Sequence, residues 1–261
     1  MSVIGSARGL LREAVDRTTV RLGLGDSEER LAHDARSYWT EGSDLPTWRG
    51  NSHIRDAGIF NSVDWAAVGT EHWKLFARLA NVAPSGSFDR VVEWGCGGGA
   101  NAVAFAPHCR EFVGVDVNAT TLAECAREMA ATGTPFTPVE ADLTDPEAAV
   151  EQIGQADLFL CLYVLELVPS PDYGLRLMKI AADLLKPGAL AFVQTKYQTT
   201  DRRTASRRHR YRESTAASMT AYPIDTFWTD MTRLGFTPES LYLVPQNNLD
   251  HRYAYYLLRK N

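Results

Sequence analysis

The stretch RVVEWGCGGGANAVAF, residues 90–105, decides the fold. Val91 and Val92 open a short buried strand that ends on Glu93 and Trp94. Four glycines then fall within the next five positions, and an alanine-rich segment resumes as a helix. Glycine loses more backbone entropy on folding than any other residue. Gathering four of them at a strand end therefore implies a sharp turn with a ligand lying against bare main chain.

Downstream, strand and helix signals alternate. REFVGVDV (110–117) and PFTPVEAD (135–142) read as strands, and ADLFLCLYVLELV (156–168) as a strand that runs on into a loop. ALAFVQTKY (189–197) reads as a fifth strand. The segments between them are helical: in 118–133, Leu122, Cys125, Ala126 and Met129 keep i, i+3, i+4, i+7 spacing, with Asn118 or Thr120 as cap and Gly133 as stop. In 172–188, Leu175, Met178, Ala182 and Leu185 share a face, and Lys-Pro-Gly ends the run. Such alternation implies parallel βαβ units. After a helix at 223–235, with Ile224, Phe227, Trp228 and Met231 on one face, FTPESLYLV (236–244) and RYAYYLLRK (252–260) are strands. The segment joining them is too short for a crossover helix, so they pair antiparallel. The fold class is α/β, a doubly wound, mostly parallel sheet closed by an antiparallel strand.

Residues 1–87 are rich in aromatics and histidines but weakly periodic, and read as a helical and looped cap on a domain spanning 88–261. Ile4, Ala7, Leu11 and Ala14 follow helical spacing, and the frequent charges there do not suit a secretory signal. No apolar run reaches the ~18 residues of a membrane span. Cys96, Cys109, Cys125 and Cys161 are widely spaced with no C-x-x-C pair, which argues against a zinc site or a disulfide framework and for a reducing cytoplasm. The net charge of −5 is unevenly spread: residues 196–213 hold Lys196 and six arginines against Asp201 and Glu213, a local +5, and the remainder carries −10. This segment reads as a basic lid insertion over 196–222. If it is helical, Arg203, Arg207 and Arg210 share a face, either recruiting an anionic group of a substrate or forming a solvated surface.

The glycines alone leave two cofactor classes open, since Gly95, Gly97 and Ala100 also satisfy the dinucleotide pattern G-x-G-x-x-G/A. The flanking acids narrow the choice. Glu93, Asp116 and Asp142 lie at the ends of three successive strands, and the glycine loop has no lysine. Carboxylates there repel a pyrophosphate and suit a positively charged nucleoside.

VVEWGCGGGAN, GVDVN, EADL, LYVLELV and LLKPGAL resemble the successive motifs of class I S-adenosylmethionine-dependent methyltransferases. The resemblance covers roughly residues 88–259, including the terminal hairpin, and implies seven strands in the order 3-2-1-4-5-7-6. It also implies an S-adenosylmethionine site, with Glu93, Gly95, Cys96 and Gly97 at the methionyl portion, Asp116 and Val117 at the ribose, and Asp142 and Leu143 at the adenine. Tyr163 faces the cofactor on this reading, and Tyr38 and Trp39 close over it from the cap. The implied reaction is methyl transfer to a small molecule without a metal. LYVLELV is neither the Asn/Asp-Pro-Pro-Tyr motif of base and amide methylation nor the V-L-E-H-V of many small-molecule members: Leu167 stands where they carry histidine. A general base is therefore sought in the cap, at His53 or His72. Two other readings stay open: an RNA or protein methyltransferase using the arginine-rich segment, with nucleic acid disfavoured by the overall charge, and a cofactor-binding subunit or redirected cyclase without methyl transfer.

Overall fold

The computed structural model describes residues 26–41, 52–55, 62–82, 87–201, 204–206, 211, 219–246 and 251–261. Ile4, Ala7, Leu11 and Ala14 lie outside these residues, as do Arg203, Arg207 and Arg210 of the basic segment.

Among the described residues, two helices precede the sheet. In α1 (Glu28–Glu41), Leu31, Ala35 and Tyr38 are buried at i, i+4, i+7. In α2 (Ser62–Leu79), Trp65, Val68, His72 and Phe76 form the buried stripe. The alternating unit follows: β1 (Phe88–Trp94), α3 (Ala100–Phe105), β2 (Cys109–Asp116), α4 (Ala119–Ala130) and β3 (Phe136–Glu140). Next come a single helical turn α5 (Val150–Ile153), β4 (Ala156–Cys161), α6 (Pro171–Leu184) and β5 (Leu185–Gln198). The two-residue strand β6 (Tyr222–Pro223), α7 (Ile224–Arg233), β7 (Phe236–Gln246) and β8 (His251–Lys260) complete the chain.

The sheet runs β3-β2-β1-β4-β5-β8-β7, with β6 added beside β5. Setting that short strand aside, the order is the one the resemblance implies. β8 is antiparallel to both neighbours, whereas β1–β5 pair in parallel. One face packs Val92, Val113, Val115 and Phe159 against α6 and α7, and the other packs Val91, Phe112, Leu158 and Phe192 against α2, α3 and α4. The result is a three-layer α/β/α sandwich.

Local chemistry explains the boundaries. Asn118 caps α4, its side-chain oxygen accepting from the N–H groups of Thr120 and Thr121. Helix α6 ends one residue earlier than the apolar spacing predicts. Pro187 disfavours helical backbone at Lys186, so Leu185 already belongs to β5, and the register against β4 shifts between Ala156 and Leu158. Trp228, placed by spacing on the inner face of α7, sits at its rim and is 36% exposed, while Phe227 and Met231 are buried.

A third, small core lies apart from the sheet. Leu31, Ala35 and Tyr38 of α1 pack with Ile54, Tyr211 and Met219. The N-terminal region and the segment after β5 thus share one hydrophobic cluster.

Candidate active site

The C-terminal ends of β1, β2 and β3, with the loop after β4, surround a cleft that encloses about 670 Å³, counting the part open to solvent. Gly95, Gly97, Asp116, Val117, Asp142 and Leu143 line it, as do Tyr163, Val164 and Leu167. A smaller cavity of about 300 Å³ adjoins the glycine loop between His53, Cys96, Asn101 and Tyr163.

The glycine loop is bare for steric reasons. Gly95 has φ +75°, and a Cβ there would come within 2.2 Å of Val164 Cγ2. A Cβ on Gly97, at φ +53°, would lie 2.7 Å from the Ser52 carbonyl. Its N–H groups are also spoken for. Those of Gly95 and Cys96 donate to Val115 O at 2.7 and 3.0 Å, that of Gly98 to Ser52 O at 2.7 Å, and that of Gly99 to Cys96 O at 3.1 Å. Gly97 N–H donates to Asp116 Oδ2 at 3.0 Å. A pyrophosphate at a helix N-terminus needs free N–H donors. Five consecutive committed donors, with a carboxylate against one of them, do not fit a dinucleotide.

Asp116 stands at the end of β2, accepting from Gly97 N–H and, at 3.3 Å, from Asn118 N–H. Burial pushes its carboxyl up to about 6 despite these donors. Both oxygens retain lone pairs for hydroxyl donors. Asp142 is half exposed, 3.7 Å from Arg36 Nη2. Thr144 N–H and Oγ1–H, donating to its Oδ1, hold it below the usual carboxylate value.

Glu93 is placed differently from its neighbours. It is 0% exposed, lies beneath the loop and does not line the cavity. Its Oε1 accepts from Asn101 Nδ2 at 2.7 Å, and Oε2 has no hydrogen-bond partner among the described residues. Burial pushes its carboxyl up to about 8. Alternation along β1 explains the direction: Trp94 turns to the cavity face, so Glu93 turns to the other. Cys96 borders only the smaller cavity, where contact with the Cys125 thiol, together with burial, keeps it protonated.

Helix α1 also reaches the site. Trp39, not Tyr38, reaches the main cavity. Tyr38 is held in the small core with its ring edge-on to Trp39. Trp39 Nε1–H donates to Tyr211 Oη at 2.7 Å, the Tyr211 hydroxyl donates to Leu167 O, and Asn118 Nδ2 donates to Trp39 O.

His53 has φ +49°, its ring centroid 4.9 Å from that of Tyr163. Its segment is clamped: Ser52 O accepts from the glycine loop, His53 O accepts from Trp65 Nε1–H at 2.7 Å, and Arg55 makes a bidentate pair with Glu128. Burial, then repulsion from His72, push the His53 imidazole down to about 4. His72 is buried behind Tyr163, with Nδ1 2.8 Å from Asn101 Oδ1 and Nε2 3.0 Å from Tyr255 Oη, and borders neither cavity. Asn51, Asp56, Trp48 and Phe60, close to His53 along the chain, lie outside the described residues.

Sequence reasoning missed Trp94, Asn101, Ser52 and Gln194. One signal was available: Gln194 is a lone amide inside the apolar strand ALAFVQTKY, and a buried amide must find partners. Nothing comparable marks Ser52. Among the described residues no group of three His, Cys, Asp or Glu is placed to hold a metal ion, and no helix is long and apolar enough to cross a membrane.

Sheet order, terminal hairpin and an acid-lined cleft beside a glycine loop define the class I methyltransferase fold. The methyltransferase-domain family matches residues 69–241, two thirds of the sequence, and the chain belongs to it. The ubiquinone biosynthesis O-methyltransferase of Vibrio parahaemolyticus is 32% identical over 106 residues, 41% of this chain and 43% of that protein. That of Chelativorans sp. (strain BNC1) is 30% identical over 179 residues, covering 69% and 64%. The chain thus spans less than two thirds of the length of either relative. Two solved structures share the fold at low identity. Magnesium protoporphyrin IX methyltransferase from Synechocystis PCC 6803 with bound SAH has a TM-score of 0.60 at 15% identity, covering 86% of this chain and 97% of that one. The N-methyltransferase NodS from Bradyrhizobium japonicum WM9, in complex with S-adenosyl-l-homocysteine, has a TM-score of 0.55 at 16% identity, covering 73% and 85%.

Proposed function

We propose that this chain transfers a methyl group from S-adenosylmethionine to a hydroxyl of a small molecule. One observation carries the reading: bare glycine backbone, Asp116 and Asp142 converge on one cavity at successive strand ends. The names of the relatives, both O-methyltransferases, support oxygen as the acceptor atom. The residues present fit the cofactor, because unsubstituted backbone at Gly95 and Gly97 lines the cavity and Asp116 offers acceptors to a diol.

Bound there, the cofactor supplies a methyl already activated by sulfonium charge. In this proposal Asp116 and Val117 hold the ribose, Asp142 and Leu143 the adenine, and Gly95 and Gly97 the methionyl chain, with Cys96 and Glu93 as its floor. Tyr163 orients the donor, and Trp39 excludes water. Alignment of this kind supplies roughly 7–11 kcal/mol of a barrier. His53, neutral above about pH 4, accepts the acceptor's proton. So weak a base suits an acidic hydroxyl, such as one on an aromatic ring, better than an aliphatic alcohol. A division into a cap over 1–87, a domain over 88–261 and a lid insertion over 196–222 belongs to the same proposal. So does a cytoplasmic setting, supported by four free cysteines.

Calorimetric titration with S-adenosylhomocysteine tests the reading. Micromolar binding that is lost in Asp116→Ala is expected, and equal binding by both proteins, or by neither, would overturn it. Mass spectrometry of candidate phenols for a gain of one methylene then identifies the acceptor.

A further inference from the structure

Between the glycine loop and the fourth-strand loop runs a chain of buried polar side chains whose contacts fit one consistent set of directions with neutral His72. A backbone N–H can only donate, so the contact of Tyr163 N with Gln194 at 2.7 Å fixes the amide oxygen there. The Gln194 Nε2 end then donates to Tyr255 Oη at 2.7 Å. In the neutral tautomer of His72 protonated on Nδ1, Nε2 accepts from the Tyr255 hydroxyl at 3.0 Å. The Nδ1–H of that tautomer donates to Asn101 Oδ1 at 2.8 Å. Asn101 Nδ2 finally donates to Glu93 Oε1 at 2.7 Å. Every donor points the same way, from Tyr163 to the carboxyl under the loop. Chains of this sort polarise one another in a low dielectric, and the loss of one link is felt along the line.

At the far end stands Tyr163, a non-glycine residue at φ +57°. That conformation is unfavourable unless the surroundings enforce it. The Tyr163 ring separates the two cavities and touches His53, His72 and Tyr253, with centroids 4.9, 5.3 and 5.5 Å away.

We infer that Gln194, Tyr255, His72 and Asn101 are positioning residues that hold Tyr163 in its left-handed conformation against the cofactor cleft. The inference rests on the methyltransferase reading for its consequence but not for its geometry. His72, with both ring nitrogens engaged in the chain, serves through Tyr163 and leaves proton transfer to His53.

Tyr255→Phe removes one oxygen and keeps the ring stacked on Phe192. In the ligand-free protein, hydrogen–deuterium exchange of the Tyr163 amide is expected to rise about tenfold, with the β1 and β2 amides unchanged. His72→Gln breaks the chain one link further on and is measured in parallel, in case the first variant folds poorly. S-adenosylhomocysteine affinity should fall about three- to tenfold in Tyr255→Phe, the loss of one buried hydrogen bond. It should fall no further when that change is added to Tyr163→Ala, because the effect travels through Tyr163. Unchanged exchange at Tyr163, or affinity losses that multiply in the double variant, would overturn the inference. Accelerated exchange in a protein whose wild type ignores S-adenosylhomocysteine would support the chain and remove only the cofactor reading.

Discussion

Replacing Glu93 by glutamine should stabilise the ligand-free protein at alkaline pH and leave it unchanged in acid. In the unfolded chain Glu93 ionises at its ordinary value of 4.5, whereas burial in the folded protein pushes it up to about 8. The folded state then binds the extra proton between these values, so stability falls as pH rises from 4.5 and levels off above 8. At ~1.4 kcal/mol per tenfold change in proton affinity, the full excursion is ~5 kcal/mol. Relaxation around the buried carboxylate reduces the usable part to an expected ~2–4 kcal/mol. Glutamine keeps the acceptor facing Asn101 and has nothing to ionise. At ~2–4 °C per kcal/mol for a chain approaching this length, Glu93→Gln should melt about 5–15 °C above wild type at pH 8 and within a degree or two of it at pH 4. Paired thermal melts followed by circular dichroism across that range provide the assay. A variant less stable than wild type at every pH would mean that the carboxylate is ionised and held by the Asn101 chain, and would refute the reasoning.

Three other outcomes follow from the site. Burial raises Asp116 to about 6, and its ionised form is the one that accepts ribose hydroxyls; S-adenosylhomocysteine should therefore bind about tenfold more weakly at pH 5 than at pH 7.5, by simple proton competition, and Asp116→Asn should bind weakly with no such dependence. Tyr211→Phe leaves Trp39 Nε1–H and Leu167 O without their shared partner, at a cost of about 1–3 kcal/mol; proteolysis of the cap should accelerate accordingly, and an unchanged cleavage rate would show that the latch is idle. Once an acceptor is in hand, His53→Gln should lower kcat by about 10²–10⁴ while S-adenosylhomocysteine affinity stays within a few-fold of wild type; retained turnover would remove His53 as the base.

Much of the sheet was legible because parallel strands buried on both faces read as apolar runs punctuated by turns. The hairpin was legible from loop length, and the cap of α4 from Asn118 itself. The site was legible only as far as the main chain dictates it. Strand ends fix where Asp116 and Asp142 stand, so both reach the cavity. Glu93 shares the motif but sits one step out of phase in a strand of period two; its direction was readable, whereas which face of β1 held the cleft was not. Tyr38 and Trp39 adjoin on a helix, and only the small core of Leu31, Ala35, Ile54, Tyr211 and Met219, assembled from three distant segments, settles which of them turns inward. Such pairings carry no periodic signal along the chain.

The loop after β4 shows how such a site can be rebuilt without its usual histidine. Leu167 lines the cavity with an apolar side chain and presents its carbonyl to the Tyr211 hydroxyl, which in turn receives the Trp39 indole. A position that could have carried an imidazole thus anchors the cover instead. On the proposed reading the base then has to come from a segment that arrives with the cover, and Ser52–Arg55 does so. It lies directly on the glycine loop through Ser52 O, is tied to α2 through Trp65, and is tied to α4 through Arg55 and Glu128. The placements of Trp39 and His53 are linked in the structure, because Ile54, next to His53, packs with Leu31, Ala35 and Tyr38 of α1 in the small core. A sulfonium methyl open to water is a liability, and on the proposed reading this link ties its shielding to the placement of the proposed base, His53.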